Sequence, residues 1–188
     1  LGPEHGWYRV GPLARINNAT YLDTPRAEAA RAEFIAWGGG QPVTASLAQH
    51  WARMIDTLHC AEGIARLLDD PDITGTDLMA TGTPLREGIS VIEAPRGTLL
   101  HHYRIGDDDL VEYANLIVST THNNTAMNEA VRSVAAKYFD SREITEGLLN
   151  HIEVAIRAYD PCLSCATHAL GQMPLDVALV GHDGTLID

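Results

Sequence analysis

Residues 144–168 read ITEGLLNHIEVAIRAYDPCLSCATH, a helix followed by a chemically loaded segment. Leu148, Ile152, Ala155 and Tyr159 fall on one stripe at helical spacing. Pro161 ends that helix, because proline has no amide donor and disfavours helical backbone at the residue before it. Around the helix end stand Asp160, Cys162, Cys165 and His168. Two thiols three residues apart, just past a helix, can both turn toward one soft metal, and thiolates hold nickel, iron or zinc well. Metal binding lowers thiol pKa, so the pair ionises. His168 adds an imidazole within reach and Asp160 adds a carboxylate. Taken alone, the CxxC could also be half of a structural zinc site. Such sites normally take four protein ligands, and the one other thiol is Cys60, inside a helical stripe and read as a small buried apolar residue. A thioredoxin-like redox pair fits less well, because no strand precedes the motif.

Working outward, the chain reads as mainly helical. Residues 1–23 read as irregular, with glycines, prolines and the Asn17-Asn18 pair. Thr24-Pro25 is a helix start, with a hydroxyl at the N-cap and proline at the first helical position. Ala27, Ala30, Phe34 and Trp37 follow at helical spacing until Gly38-Gly39-Gly40. A second helix fits residues 45–68, with Leu47, Trp51, Met54, Ile55, Leu58 and Ala61 on its stripe. Residues 88–105 alternate around a Pro95-Arg96-Gly97 break, which predicts two strands joined by a turn. Helices resume at 110–119 and 124–139, the latter with Met127, Val131, Val134 and Tyr138 on one face. His101 and His102 are adjacent on a strand and point to opposite faces, so they are read as structural.

Composition excludes some classes. The chain has 188 residues, enough to bury a real core, and 45% of them are hydrophobic, so it is neither disordered nor collagen-like. Its formal net charge of −12 argues against a nucleic-acid partner, which would call for a basic face. No apolar run is long enough for a membrane span. Three cysteines do not make a secreted disulfide framework. No GxGxxG follows a strand, so no dinucleotide site is expected in this chain.

DPCLSCATH, residues 160–168, resembles the C-terminal DPCxxCxxH signature of nickel–iron hydrogenase large subunits. Three further segments agree and stand in the family's order. YRVGPLARIN, residues 8–17, is similar to a segment of the cytoplasmic branches. EAPRG, residues 93–97, looks like the family's arginine-bearing loop. STTHNN, residues 119–124, looks like its hydroxyl-rich segment, with His122 where many relatives carry Trp. The ending DPCLSCATHALGQMPL resembles the soluble, bidirectional NAD-reducing type.

The resemblance implies roles. Cys162 would bind nickel terminally and Cys165 would bridge nickel and iron, whose other ligands are carbon monoxide and cyanide. Arg96 would sit over the metals beside Pro95, with Asp160 fixing its position. Thr120, and Thr121 beside it, would offer hydroxyls to a cyanide. His168 would help bind magnesium and end the mature subunit. Read without the resemblance, Arg96 is an ion-pair residue at a turn, the threonines are capping residues, and Asp160 is a helix-terminal carboxylate. The implied reaction is reversible oxidation of dihydrogen to protons and electrons, in the cytoplasm. The implied partners are a small iron–sulfur subunit, flavin-bearing diaphorase subunits carrying FMN and NAD, nickel-insertion proteins and a maturation endopeptidase.

Two organisational expectations follow. Residues 1–168 would form one partial domain, the C-terminal half of the large subunit, and 169–188 a removable maturation tail whose plain alternative is a C-terminal strand. The family's N-terminal CxxC pair is absent from these residues and the chain opens without Met, which is read as truncation, with an inactive, poorly soluble isolated fragment. The expected fold is mainly α, a helical bundle with a small β-hairpin around Arg96 and the CxxC segment arriving beside that turn.

Overall fold

A computed structural model describes residues 2–139, 144–162, 178 and 180–186, with the side chains of 3 and 4 excepted. The elements run α1 (Gly2–His5), α2 (Pro12–Asn18), α3 (Pro25–Trp37), α4 (Ala48–Leu68), a 3-10 turn (Pro71–Thr74), β1 (Glu87–Ala94), β2 (Gly97–Ile105), β3 (Val111–Ile117), α5 (Ser119–Tyr138) and α6 (Glu146–Ala158). The fold is mainly α with a small antiparallel sheet in the order β1-β2-β3.

One core lies where α2, α3 and α4 meet. Leu13, Ile16, Phe34, Val43, Ala48, Ala52 and Ile55 close it. Alanines at 48 and 52 let α4 approach its neighbours, and each buried large apolar chain contributes roughly 1.5–3 kcal/mol. A second, smaller core joins α5 to α6 through Ala126, Ala158 and Tyr159. The two cores are tied by polar bonds. The Ser46 and Tyr159 hydroxyls share a hydrogen bond at 3.2 Å, and Arg53 of α4 donates to the Ala158 carbonyl at 3.0 Å. The latter satisfies one of the carbonyls that a helix end leaves without a partner.

Several expectations are corrected. Residues 110–119 are not a helix: Val111–Ile117 is a third strand, paired with β2 from Leu100↔Ile117 to Ile105↔Val111. A turn precedes it, with the Gly106 amide bonded to the Leu110 carbonyl and Asp109 at φ 62°. The β-branched and aromatic residues Val111, Tyr113 and Ile117 suit a pleated surface once β2 is there to pair with. The 1–23 stretch is not wholly irregular, since Pro12–Asn18 is helical with proline in its first turn. The Thr24 hydroxyl does not cap α3; it bonds His59 at 2.8 Å. Glu62 of α4 accepts the Arg26 and Ala27 amides instead, so the α3 start is capped across the helix pair. The buried face of α4 is Ala48, Gln49, Ala52 and Ile55, whereas Leu47 and Met54 are exposed. A stripe drawn through the largest residues missed that face because alanines permit the closer approach. Cys60 is exposed, not buried.

α6 is as expected. Thr145 caps it by accepting the Leu148 amide, and Leu148, Ala155 and Tyr159 are buried. Large apolar side chains remain outside both cores, among them Trp37, Met54, Ile89, Val91, Ile92 and Leu116. Several of these make the exposed surface of the sheet. Among the described residues no helix is long and apolar enough to cross a membrane.

Candidate metal centre

Four segments meet around Arg96. The first is the β1–β2 turn. Ala94 pairs with Gly97, so Pro95 and Arg96 form a two-residue hairpin turn. The second is the chain after α6. Asp160 lies at φ 51°, in the left-handed region that aspartate tolerates better than most residues, and its amide still bonds the Arg157 carbonyl at 3.0 Å. Arg96 Nε donates to Asp160 Oδ2 at 2.9 Å. The pair is half exposed; its value lies in geometry more than in stability.

The third segment is the first turn of α5. The Cys162 amide donates to Thr120 Oγ1 at 3.2 Å. The structure therefore brings Arg96, Asp160, Cys162 and Thr120 together. Pro95 stands beside Arg96 in the turn, and Thr121 follows Thr120 in α5 with its side chain exposed. Cys165 and His168 lie outside the described residues, as does most of the 169–188 tail. Within the described part of that tail, Val180 and Leu186 form a bridge around a turn in which Asp183 accepts from the Thr185 amide and hydroxyl. These two bonds hold the Asp183 carboxyl below its ordinary range.

The fourth segment is residues 8–16, which the sequence marked by family resemblance without assigning any of its residues a part in the site. Asn123, 3% exposed, accepts the Val10 amide through Oδ1 at 2.9 Å and donates from Nδ2 to the Val10 carbonyl at 3.2 Å. Its amide thus does for Val10 what a neighbouring strand would do. Gly11, at φ 104°, lies so close to the turn that a Cβ there would stand 2.8 Å from the Arg96 carbonyl oxygen. Gly97, at φ 130°, returns the contact: its Cβ would stand 2.7 Å from the Gly11 nitrogen. Two glycines let the two backbones cross at Arg96.

Arg15 completes the frame. Its guanidinium bonds Asp56 on α4, the Glu93 carboxylate, and the carbonyls of Ala94 and Pro95. Burial works against its charge, but the bonds to Asp56 and Glu93 outweigh that and raise its pKa. A cleft of about 910 Å3 runs beside these groups, lined among others by Arg15, Asp56, Cys60, Glu93, Pro95 and Asp160. His122 shares a 2.5 Å hydrogen bond with the Tyr8 hydroxyl. The sequence signal for this frame was the run of Gly11, Pro12 and Arg15 in a stretch otherwise poor in pattern. His101 and His102 behave as structural residues: His102 pairs with Glu87, and His101 packs edge-on against Tyr103.

A cysteine whose amide is held, a guanidinium fixed by a carboxylate and a threonine hydroxyl thus stand together, and among the described residues no group of three or more His, Cys, Asp or Glu side chains could hold a metal ion. The chain matches the model of the nickel-dependent hydrogenase family over residues 4–168. It is 53% identical over its whole length to the NAD-reducing hydrogenase HoxS subunit beta of Cupriavidus necator, covering 39% of that protein. It is 43% identical, over 96% of its length, to an iron-sulfur subunit of the F420-non-reducing hydrogenase of Archaeoglobus profundus, covering 37% of it. Among solved structures, an NAD+-reducing [NiFe]-hydrogenase in its H2-reduced state superposes with a TM-score of 0.82 at 56% identity, over 89% of this chain and 37% of that one. The Ni-Fe-Se hydrogenase of D. vulgaris Hildenborough, with a TM-score of 0.54 at 24% identity, shares the fold.

The chain belongs to the nickel-dependent hydrogenase family. It spans about two fifths of the length of the curated relatives it matches.

Proposed function

We propose that this chain is the C-terminal segment of a hydrogenase catalytic subunit, which oxidises dihydrogen reversibly to protons and electrons and delivers the electrons to NAD through partner subunits. One observation supports this above all. In a chain of this family, the Arg96–Asp160 bond of 2.9 Å stands beside a cysteine whose amide is held by Thr120.

Cys162 and Cys165 would be ligands of the nickel–iron centre and His168 a magnesium ligand. The bound centre, its iron carrying carbon monoxide and cyanide, would supply the redox chemistry for splitting dihydrogen. The chain's own residues orient and stabilise it. Asp160 holds Arg96 by its Nε, which sets the plane of the whole guanidinium and so the direction of its other donors. Thr120 accepts from the Cys162 amide through a lone pair, which leaves the hydroxyl proton to donate to a small anionic ligand. Thr121, next to Thr120, and Pro95, next to Arg96, would border the same place. The sulfur of Cys162 or Cys165 would accept the proton that dihydrogen releases.

The NAD, FMN and iron–sulfur clusters would belong to partners in the cytoplasm, namely a flavin-bearing diaphorase pair and the small iron–sulfur subunit. Residues 1–168 form the functional unit and 169–188 the tail that a maturation endopeptidase removes after nickel-insertion proteins act. Intact mass after coexpression with the endopeptidase tests cleavage between His168 and Ala169. A second reading, a related hydrogenase with a different electron acceptor, draws on the 43% identity to the F420-non-reducing relative.

The deciding experiment measures metal content and hydrogen-dependent NAD reduction in the assembled complex. Nickel and iron with NAD reduction are expected, and Cys165→Ser abolishes uptake. Uptake retained by that variant overturns the site assignment. Hydrogen uptake without NAD reduction favours the second reading. Full zinc occupancy without nickel makes the CxxC a structural site.

A further inference from the structure

Arg15 lies outside the arginine-bearing loop, yet its guanidinium is divided between that loop and α4. Nε and Nη2 reach Asp56 Oδ2 at 2.9 and 2.5 Å. Nη1 reaches Glu93 Oε1 at 2.6 Å and the Ala94 carbonyl at 3.0 Å. Nη2 also reaches the Pro95 carbonyl at 2.8 Å. That carbonyl belongs to the peptide unit whose nitrogen is Arg96's own, so Arg15 holds the backbone plane from which Arg96 departs.

A guanidinium is planar and rigid, and one of its donors cannot turn without carrying the others. Asp56 therefore fixes the orientation with which Arg15 meets the two carbonyls. Arg15 and Asp56 are 27% and 18% exposed at their side chains, sheltered enough for charge-assisted bonds to hold their geometry. From the other side, the Gly11–Gly97 crossing bears on the same turn. The next residue's side chain is then directed to Asp160.

We propose that Arg15 is a positioning residue for Arg96: it fixes the Pro95–Arg96 turn against α4 and so delivers the Arg96 guanidinium to its place beside Asp160 and Cys162. The functional consequence rests on the reading of Arg96 as facing a nickel–iron centre. The structural consequence does not. Lysine cannot substitute, because one ammonium lacks the fork that spans a carboxylate and two carbonyls at once.

The experiment compares Arg15→Lys with Arg31→Lys in the assembled enzyme. Arg31 is the control, since it spans Glu28 and the carbonyls of Ala19 and Thr20 in a similar way but bonds nothing in the Pro95–Arg96 turn. Two readouts are taken: hydrogen exchange in a peptide covering residues 93–97, and the infrared stretching bands of the small ligands on iron. Arg15→Lys is expected to speed exchange in that peptide about tenfold or more and to shift the infrared bands. Arg31→Lys is expected to do neither, whatever it does to the melting temperature. Wild-type exchange in Arg15→Lys overturns the proposal. So does faster exchange with unshifted bands, because the turn then loosens without moving Arg96 against the centre. So do equal effects of the two variants. A wild-type complex with no such bands overturns the nickel–iron reading instead, and the exchange comparison then decides whether Arg15 holds the turn.

Discussion

Arg96 and Asp160 are 64 residues apart and meet through one bond, Nε to Oδ2 at 2.9 Å. Arg96 sits in a hairpin turn and Asp160 sits just past a helix, so the bond closes the sheet onto the end of α6. The contact depends on Asp160 holding a positive φ of 51°. Asparagine tolerates that backbone almost equally and keeps the side-chain shape. Asp160→Asn should therefore fold normally and lose only the charge. The loss of a charge-assisted bond predicts a fall of about tenfold or more in hydrogen turnover of the assembled enzyme. Steady-state kinetics with wild-type metal content checks it.

Asn123→Ala tests the tie between α5 and the 8–11 segment. Asn123 is buried and engages both backbone groups of Val10. Truncation leaves an amide and a carbonyl buried without partners, at about 1–3 kcal/mol each. A loss of about 2–4 kcal/mol in unfolding stability is expected, read by denaturant titration with the slope unchanged. A loss under about 0.5 kcal/mol would mean that water takes over both bonds.

Gly97→Ala tests the backbone crossing. The residue has φ 130°, and an added Cβ would lie 2.7 Å from the Gly11 nitrogen. Both the strain and the clash act in the same direction, so destabilisation of about 2 kcal/mol or more is expected. Gly39→Ala is the comparison. It too has a positive φ, but at 66° it lies in the left-handed region and nothing lies within 4 Å of its added Cβ, so it carries a milder backbone strain and no clash. Thermal unfolding of the two variants separates these contributions.

Glu28 supplies a pH dependence. Its bond from Arg31, and then its bond from the Leu22 amide, hold its carboxyl below the ordinary value of 4.5. A carboxyl with a depressed folded-state pKa stabilises the fold above its unfolded value. That contribution is lost as pH falls through the folded value. Wild type should exceed Glu28→Gln in melting temperature near neutral pH, and the gap should close as pH drops below about 4.5. A gap that persists at acid pH would place the stabilisation in shape and not in charge.

Much of this protein was legible in its residues. The α6 stripe, its stop before Pro161 and the hairpin at Pro95-Arg96 follow from local spacing, whereas the four motif segments stood out through their resemblance to a known family. Local rules act over a few residues, and in these places nothing distant contradicts them. The pairing of Ala94 with Gly97 is of that kind, since the turn residues leave little choice of register.

Other features were decided by residues far away in the chain. Residues 110–119 read as a helix, and β2 overrode that reading by offering hydrogen bonds along its edge to residues 111–117. Thr24 has the right residue type for a cap, yet His59 takes its hydroxyl while Glu62 caps α3 from the neighbouring helix. Arg15 looks like any surface cation in sequence. Its fork has meaning only because α4 brings Asp56 to one side and the hairpin brings two carbonyls to the other. The order of residues establishes which groups are available: the thiols, Asp160, Arg96 and the threonines. Which of them meet, and what holds them still, was settled by packing, because these contacts span many residues and depend on how the helices and the sheet come together.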